Sequence, residues 1–435
     1  MPVGGGHGPG PRAAAGVGLY FAGNGAVFAG LLTWYPLLVE RLGLSSWQFG
    51  LVVACFAVGS LLSSALPAAL IARFGAHRVV IGGTVFLGAA AAATAWSVNG
   101  VMMALCLLLL GCCDAIVDVA QNVVGIAVQE KLERTILSSM HALWSLGGLL
   151  SGAAATAAAS SGADMRAWLA VVALIAVVLT MIGRRLIRDA ASPRRVIDSD
   201  ADGPVGDDSR EDSGARDAAR GEAGRGKESD GSSEESWSEA SSRAGRSKRA
   251  VLLAALPLAI VAICGAAVED IANNWAGLAA VEFANVPAAS AGIAFSIVIG
   301  SQCLGRFSGD VLVTRFGAGR IARIGGGLIG IGGIGAVFAQ EPVMLLIGMV
   351  LLGYGSATLV PGALGAAARL PGVGRAGGVT LVNWLMRVGY LGTSPLVGVI
   401  ATEAGLRWGL GLLVLVGVLT VVFARRLDVP GAGRN

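Results

Sequence analysis

Asp114, Asp118 and Asn122 recur at four-residue spacing inside an otherwise apolar run. Helical geometry puts such a series on one stripe, facing a cavity or a partner helix rather than lipid. A carboxylate withdrawn from water there holds a proton more readily than one in solution, which is what a proton-coupling site requires; a structural latch is the other use of such a stripe. Asp118 falls roughly 25 Å along its run, close to one end, where it could meet His141 or the arginines Arg73 and Arg78 as part of an inner gate. Asp114 lies one turn nearer the middle and is the better coupling residue. Arg387 is read as the one cation deep in an apolar run, placed to hold an anionic or carboxylate-bearing solute or to pair with Asp114. Asn383, one turn earlier, and Asn24, in the first run, would add hydrogen bonds.

A second polar cluster, Glu269, Asp270, Asn273, Asn274 and Trp275, comes late in another run. Adjacent acids point to different faces of a helix, so Glu269 and Asp270 are not expected to share one proton. We expect one of them at an outer gate or solvated helix end, with Trp275 either stacked on a sugar or set in the interfacial belt. Arg306 and Asp310 are again four apart, just before Arg315. No phosphate-binding GxxxxGK[ST] loop, HExxH or Ser/His/Asp arrangement accompanies these residues, so neither an ATP-driven pump nor a hydrolase has support. The six cysteines sit inside apolar runs without a second CxxC or a histidine cluster and are read as free core thiols. No metal or cofactor is expected.

These residues need long apolar elements to hold them. Of the 435 residues 54% are hydrophobic and 14% charged, and the mean hydropathy is +0.71, against roughly 25% charge in a soluble domain. The 66 glycines show no Gly-X-Y period and suit close packing between membrane helices. Runs of about 20 apolar residues, the length a bilayer core demands, fall at 16–39, 48–72, 78–98, 101–128, 137–160 and 167–188, and again at 250–279, 289–313, 320–339, 342–367, 376–401 and 405–426. The first residues lack the charged start and small-residue site of a cleaved signal, so the first run is expected to remain as a span. Residues 189–249 carry 15 acidic and 11 basic side chains with Trp237 as their one aromatic, a composition that cannot bury a core. The expected organisation is therefore a tail over 1–15, a six-helix bundle over 16–188, a disordered tether over 189–249, a second bundle over 250–426 and a tail over 427–435. Because so much of the charge sits in the tether, the net charge of +4 is no sign of nucleic-acid binding.

Lysines and arginines cluster in alternate short loops. One side collects Arg12, Arg73, Arg78, Lys131, Arg134, Arg184, Arg185, Arg188 and their counterparts from Arg315 to Arg426, while the other keeps Arg41, Arg166 and Arg407. The positive-inside rule then makes both termini cytoplasmic and puts Trp34, Tyr35, Trp47, Trp168 and Trp408 near the outer face. The chain also repeats itself. Arg73-Phe74-Gly75-Ala76-His77-Arg78 recurs as Arg315-Phe316-Gly317-Ala318-Gly319-Arg320, 242 residues on and at the same place in each half.

On these features the chain resembles the major facilitator superfamily, over all but the tether and the extreme termini. The two RFGAxR loops are similar to that family's G-x-x-x-D-R-x-G-R-R signature, with Ala72 and Thr314 where its aspartate would stand. The resemblance implies an all-α membrane protein, twelve transmembrane helices in two parallel six-helix repeats, with Arg73, Gly75, Arg78, Arg315, Gly317 and Arg320, aided by His141 and Asp310, at a cytoplasmic gate. Asp118-Val119-Ala120-Gln121-Asn122, Ser138-Ser139-Met140-His141, Ser145-Leu146-Gly147-Gly148 and Glu269-Asp270 with Asn274-Trp275 look like a bacterial branch related to fucose-permease-type sugar transporters. The Gly-Pro signature of drug antiporters is not matched by Gly147-Gly148-Leu149-Leu150-Ser151-Gly152. The implied activity is secondary transport of a sugar or related hydrophilic metabolite across the cytoplasmic membrane, driven by protons, by a monomer in the lipid bilayer. Proton-driven export of a drug or metabolite is the alternative, and a non-transporting membrane receptor is the alternative of another class.

Overall fold

The computed structural model describes residues 11–132, 136–187, 232–370 and 375–428, and among them all regular structure is helical. The first half contains α1 (Pro11–Leu32), α2 (Tyr35–Leu42), α3 (Ser46–Leu62), α4 (Leu66–Phe74), α5 (Ala76–Thr94), α6 (Gly100–Leu132), α7 (Leu137–Ser160) and α8 (Met165–Ile187). The second contains α9 (Ser232–Ala284), α10 (Gly292–Phe316), α11 (Ala318–Val337), α12 (Pro342–Ser356), α13 (Leu359–Ala367), α14 (Arg375–Tyr390), α15 (Thr393–Ala404), α16 (Leu406–Leu410) and α17 (Leu412–Phe423). Residues 188–231, most of the expected tether, lie outside the described residues, as do most of both tails. Residues 232–249, read as tether, instead form the start of α9. Their sequence opens Ser232-Ser233-Glu234-Glu235, residue types that favour a helix N-terminus.

Ten helical stretches are each long and apolar enough to cross a membrane, and α3 with α4, bent by 55°, makes an eleventh. The pair α14 and α15 falls outside that count; it carries Asn383 and Arg387 and breaks at Leu391-Gly392. Four spans break two or three residues before a proline, at Pro36, Pro67, Pro361 and Pro395. Proline offers no N–H and crowds the preceding turn, so it sits most easily at the start of the helix that follows, although Pro257 stands inside α9.

Packing repeats between the halves. In the first, α1 lies on α7 and α8, α5 on α6 and α8, and α3 on α6; in the second, α9 lies on α14 and α17, α11 on α12 and α17, and α10 on α12. The set α14 with α15 therefore occupies in the second half the place of α7 in the first. Helices within a half approach closely at glycine: a Cβ on Gly25 would strike the Trp144 carbonyl, and one on Gly111 the Phe56 carbonyl. Among the described residues the halves meet chiefly along two seams, α7 against α10 and α3 against α15, with lighter contacts near α2 and residues 288–290.

The repeat extends to detail. Gly75 and Gly317 both hold positive φ, 81° and 87°, a conformation that disfavours side chains, and Arg73 and Arg315 each lie over the following phenylalanine ring. At the other end Arg41 donates to the carbonyls of Ala95 and Ser97, and Arg407 to those of Val337 and Ala339, which are their counterparts 242 residues on. Trp47 and Trp408 are exposed on the surface as belt residues should be, but Trp34 and Tyr35 are buried in the core, because the break before α2 turns them inward.

Candidate functional site

Between the halves lies a cavity of about 270 Å³ whose wall includes Phe28, Phe56, Ser60, Asp114 and Trp144 from the first half and Glu269, Asp270, Asn274, Arg387 and Tyr390 from the second. A larger cavity of about 550 Å³, lined among others by His141, Arg306, Pro361 and Arg369, shares Glu269 and Val360 with it. It reaches toward the end that carries the arginine-rich loops.

Asp114 and Arg387, from distant parts of the chain, thus face one space. Asn24 on α1 donates from its amide to Asp114 Oδ1 at 3.0 Å, and its own carbonyl oxygen accepts the Trp144 indole N–H at 2.6 Å. The indole can only donate, so it fixes which way the amide points. Arg387 reaches across the interface from α14 and donates to Ser60 Oγ on α3 at 2.8 Å. Among the described residues the ion pair within 4.0 Å is Arg306 with Glu269, at 2.9 Å. Asp114 and Arg387 form no direct pair.

The four-residue stripe divides. Asp118 is held on its own helix by Gln121 and Asn122, whose amides donate to Asp118 Oδ1 at 3.3 and 3.1 Å, and makes no hydrogen bond to His141, Arg73 or Arg78 among those described. Asn122 is occupied as that partner. His141 stands edge-on to Phe21 and lines the larger cavity. Asn383 lines neither cavity, and the side chain of Asp310 lies outside the described residues.

The late cluster of α9 splits as adjacent helix positions should. Glu269 accepts from Gln302 at 2.6 Å and from Arg306, and Arg306 donates its other arm to Ser145 Oγ at 2.6 Å. Asp270 turns the other way. It accepts from Ser394 Oγ at 2.5 Å and from the Asn274 amide at 2.9 Å, while Trp275 donates to Ser394 Oγ at 3.2 Å. Trp275 is fully buried and packs against Phe49, which in turn meets Tyr35. It is therefore neither a belt residue nor open to a sugar. Below these rings a Cβ on Gly50 would meet the Ser394 carbonyl at 2.6 Å, and one on Gly398 the Ser46 carbonyl at 2.7 Å. The space between the halves is shut at this end by close backbone contacts, and the larger cavity lies on the arginine-rich side.

Arg306 corrects the expectation that Arg387 is alone at depth. It stands 14 residues into α10, about 21 Å along the helix axis, so its depth is legible from its distance to the end of the apolar run. Ser60, Gln302, Ser394 and Trp144 carry no sequence signal, being common residues made polar contacts by register alone, while Ser145 belongs to the Ser145-Leu146-Gly147-Gly148 stretch but has no role assigned by it. The signature loops also have a partner in the second half that the motif comparison lacks. Asp428 Oδ1 accepts the Gly319 N–H at 2.7 Å, so a carboxylate does stand beside that loop, supplied from the segment after α17. In the first half the corresponding position is His77, whose Nδ1 bonds the Tyr20 hydroxyl at 3.1 Å.

Two halves of repeated topology around a cavity walled by both, with charged side chains from each, are the architecture of a secondary membrane transporter. The profile of the Major Facilitator Superfamily matches residues 17–340, and the chain belongs to that family. It is a multi-pass membrane protein. It is 23% identical over 402 residues to an uncharacterised transporter of this family from Yersinia pestis, covering 91% of each chain, and 23% identical over 353 residues to an uncharacterised transporter from Sinorhizobium fredii, covering 81% of each. Its fold is similar to that of a D-xylose–proton symporter, with a TM-score of 0.68 at 14% identity over 96% of each chain, and to that of a nucleoside transporter, with a TM-score of 0.66 at 13% identity over 96% of this chain and 98% of that one.

Proposed function

We propose that the protein is a proton-coupled carrier of a small hydrophilic solute, a sugar or related metabolite, working as a monomer in the cytoplasmic membrane by alternating access of two six-helix halves. On this reading α14 and α15 are the eleventh of twelve spans, both termini and the arginine-rich end are cytoplasmic, and the state described is open inward. The observation that carries it is the central cavity. It is walled by both halves, sealed at one end by Trp275, Phe49 and the Gly50–Ser394 contact, and adjoined at the other by the larger cavity, with which it shares Glu269 and Val360. Asp114 is the coupling residue, since it reaches the cavity without a counter-charge in contact, and Arg387 orients the solute. The xylose–proton symporter among the structural relatives supports a sugar-like solute and proton coupling.

The test is uptake into proteoliposomes under an imposed proton gradient, with labelled sugars, sugar acids and nucleosides outside. Accumulation driven by the gradient is expected for wild type, and Asp114→Asn should lose accumulation while keeping exchange of solute at equilibrium. Solute entry that ignores the gradient in wild type would remove the coupling, and absence of any entry would remove the carrier.

A further inference from the structure

Resting on the carrier reading, the charges of the central cavity say more about the solute. Three acids and one cation face it. Glu269 is matched by Arg306 and Gln302, and Asp270, though its contacts are neutral, has both carboxylate oxygens taken, one by Ser394 and one by Asn274. That leaves Arg387, whose contact is a neutral hydroxyl, and Asp114, whose contact is a neutral amide. A guanidinium has five donors in a fork suited to a carboxylate, and Ser60 occupies one of them.

We propose that the cavity takes a small hydroxylated monocarboxylate, a sugar acid in chemical class, whose carboxylate engages Arg387 as a proton engages Asp114. In the empty site Arg387 and Asp114 compensate each other's charge across the cavity. In the loaded site the solute's carboxylate compensates Arg387, and the proton, taken from solvent, leaves Asp114 neutral. Either event alone leaves one charge unmatched in a space withdrawn from water, where an unpaired charge is costly. Anion and proton therefore bind together, and this is the coupling. The ionisable groups around Asp114 are Asp118 and Cys113 on its own helix, Arg387 and Tyr390 on α14, and Glu269 and Asp270 on α9, with Arg306 on α10 and His141 on α7 farther off, in the adjoining cavity. Of the cations, Arg306 is already committed to Glu269 and Ser145. The faces of Phe28, Phe56 and Trp144 and the amide of Asn273 suit a ring or chain bearing hydroxyls, and the volume is below that of sites for drug-sized ligands.

The experiment is isothermal titration calorimetry on the purified full-length protein with D-gluconate and D-galacturonate, against D-glucose, D-galactose and L-serine, in two buffers of different ionisation enthalpy. At least one acid should bind about ten-fold or more tighter than its neutral parent, with about one proton taken up per anion. Asp114→Asn should keep the anion and lose the proton uptake. Arg387→Gln should lose the preference for the acid, with an unchanged melting midpoint showing that it folds. Equal affinity for neutral sugars, tighter binding of the zwitterion L-serine, binding without proton uptake, uptake that persists in Asp114→Asn, or no binding of either acid each overturns the proposal. Gradient-driven entry of a neutral sugar into proteoliposomes would then leave the carrier reading standing while the anionic solute fell.

Discussion

Two seams join the halves, α3 against α15 and α7 against α10, and exchanging the halves turns one into the other. In the middle of each, an arginine of the second half donates to a serine of the first, Arg387 to Ser60 and Arg306 to Ser145. Away from the middle they differ. The first seam closes backbone on backbone at Gly50 and Gly398, with the Trp47 N–H on Thr402 Oγ1 at 3.0 Å. The second meets through side chains, Ile299 over Gly148, Ser296 over Gly152 and Ser160 on Ser290. The charge differs as well, since Arg306 has Glu269 beside it and Arg387 has no acid in contact among those described. One plan thus yields a seam whose charge is settled within the protein and another whose charge is left for a ligand.

The sharpest way to break the comparison is bulk at the tight seam. Gly50→Leu should destabilise by about 1–3 kcal/mol and cut transport more than any other change proposed, because Ser394 and Gly398 offer only backbone to move. Gly152→Leu meets the side chains of Ser296 and Phe295, which can shift, and should lose less in both melting midpoint and uptake. If the two variants behave alike, the seams do not differ as described. Next in size is Arg306→Ala. It strips Glu269 of its counter-charge, and because the two side chains are 20% and 35% exposed the loss should be about 1–2 kcal/mol, below that of a fully buried pair. A double-mutant cycle with Glu269→Gln isolates the pairwise part.

Smaller still are the serines. Ser60→Ala and Ser145→Ala should each cost about 0.5–1.5 kcal/mol in chemical denaturation. Only Ser60→Ala should tighten binding of a carboxylate, by freeing a donor of Arg387; an equal gain from Ser145→Ala would erase the distinction between the seams. The smallest effect lies just beyond the second seam, at Asp164. The backbone N–H of Ala167, and then that of Arg166, hold its exposed carboxyl below the usual carboxylate range. A lowered folded-state value gives stability that is present above the unfolded value and lost as pH falls through the folded one. Asp164→Asn should therefore flatten the acid side of the melting-midpoint profile by slightly lowering the midpoint at neutral pH, while the midpoint below the folded-state value stays as in wild type.

The signature loops show how far motif reading carries. The glycine positions and the arginine over each phenylalanine are alike in both halves, as the shared RFGAxR string implies. Position five of the string is His77 in one half and Gly319 in the other, a difference that looks minor on paper. In the fold it lets Asp428 close on the second loop, where a Cβ at residue 319 would collide with its carboxylate, while His77 takes Tyr20. A signature is local, whereas Asp428 lies 109 residues from Gly319, beyond any local pattern.

Helices, the repeat, the arginine-rich loops and the candidate polar residues were all determined by the sequence alone, since each depends on composition over one turn or one bilayer thickness. The tertiary structure decided which of those residues meet. Asp114 rather than Asp118 reaches the cavity because Asn122 and Gln121 absorb Asp118 on its own helix. Glu269 and Asp270 part company because neighbouring helix positions face different partners. Arg306 becomes as central as Arg387 because α10 and α14 cross the two seams at matching depth. Those outcomes depend on the register between helices far apart in the chain, and register is set by glycine contacts and proline breaks acting together across the whole bundle.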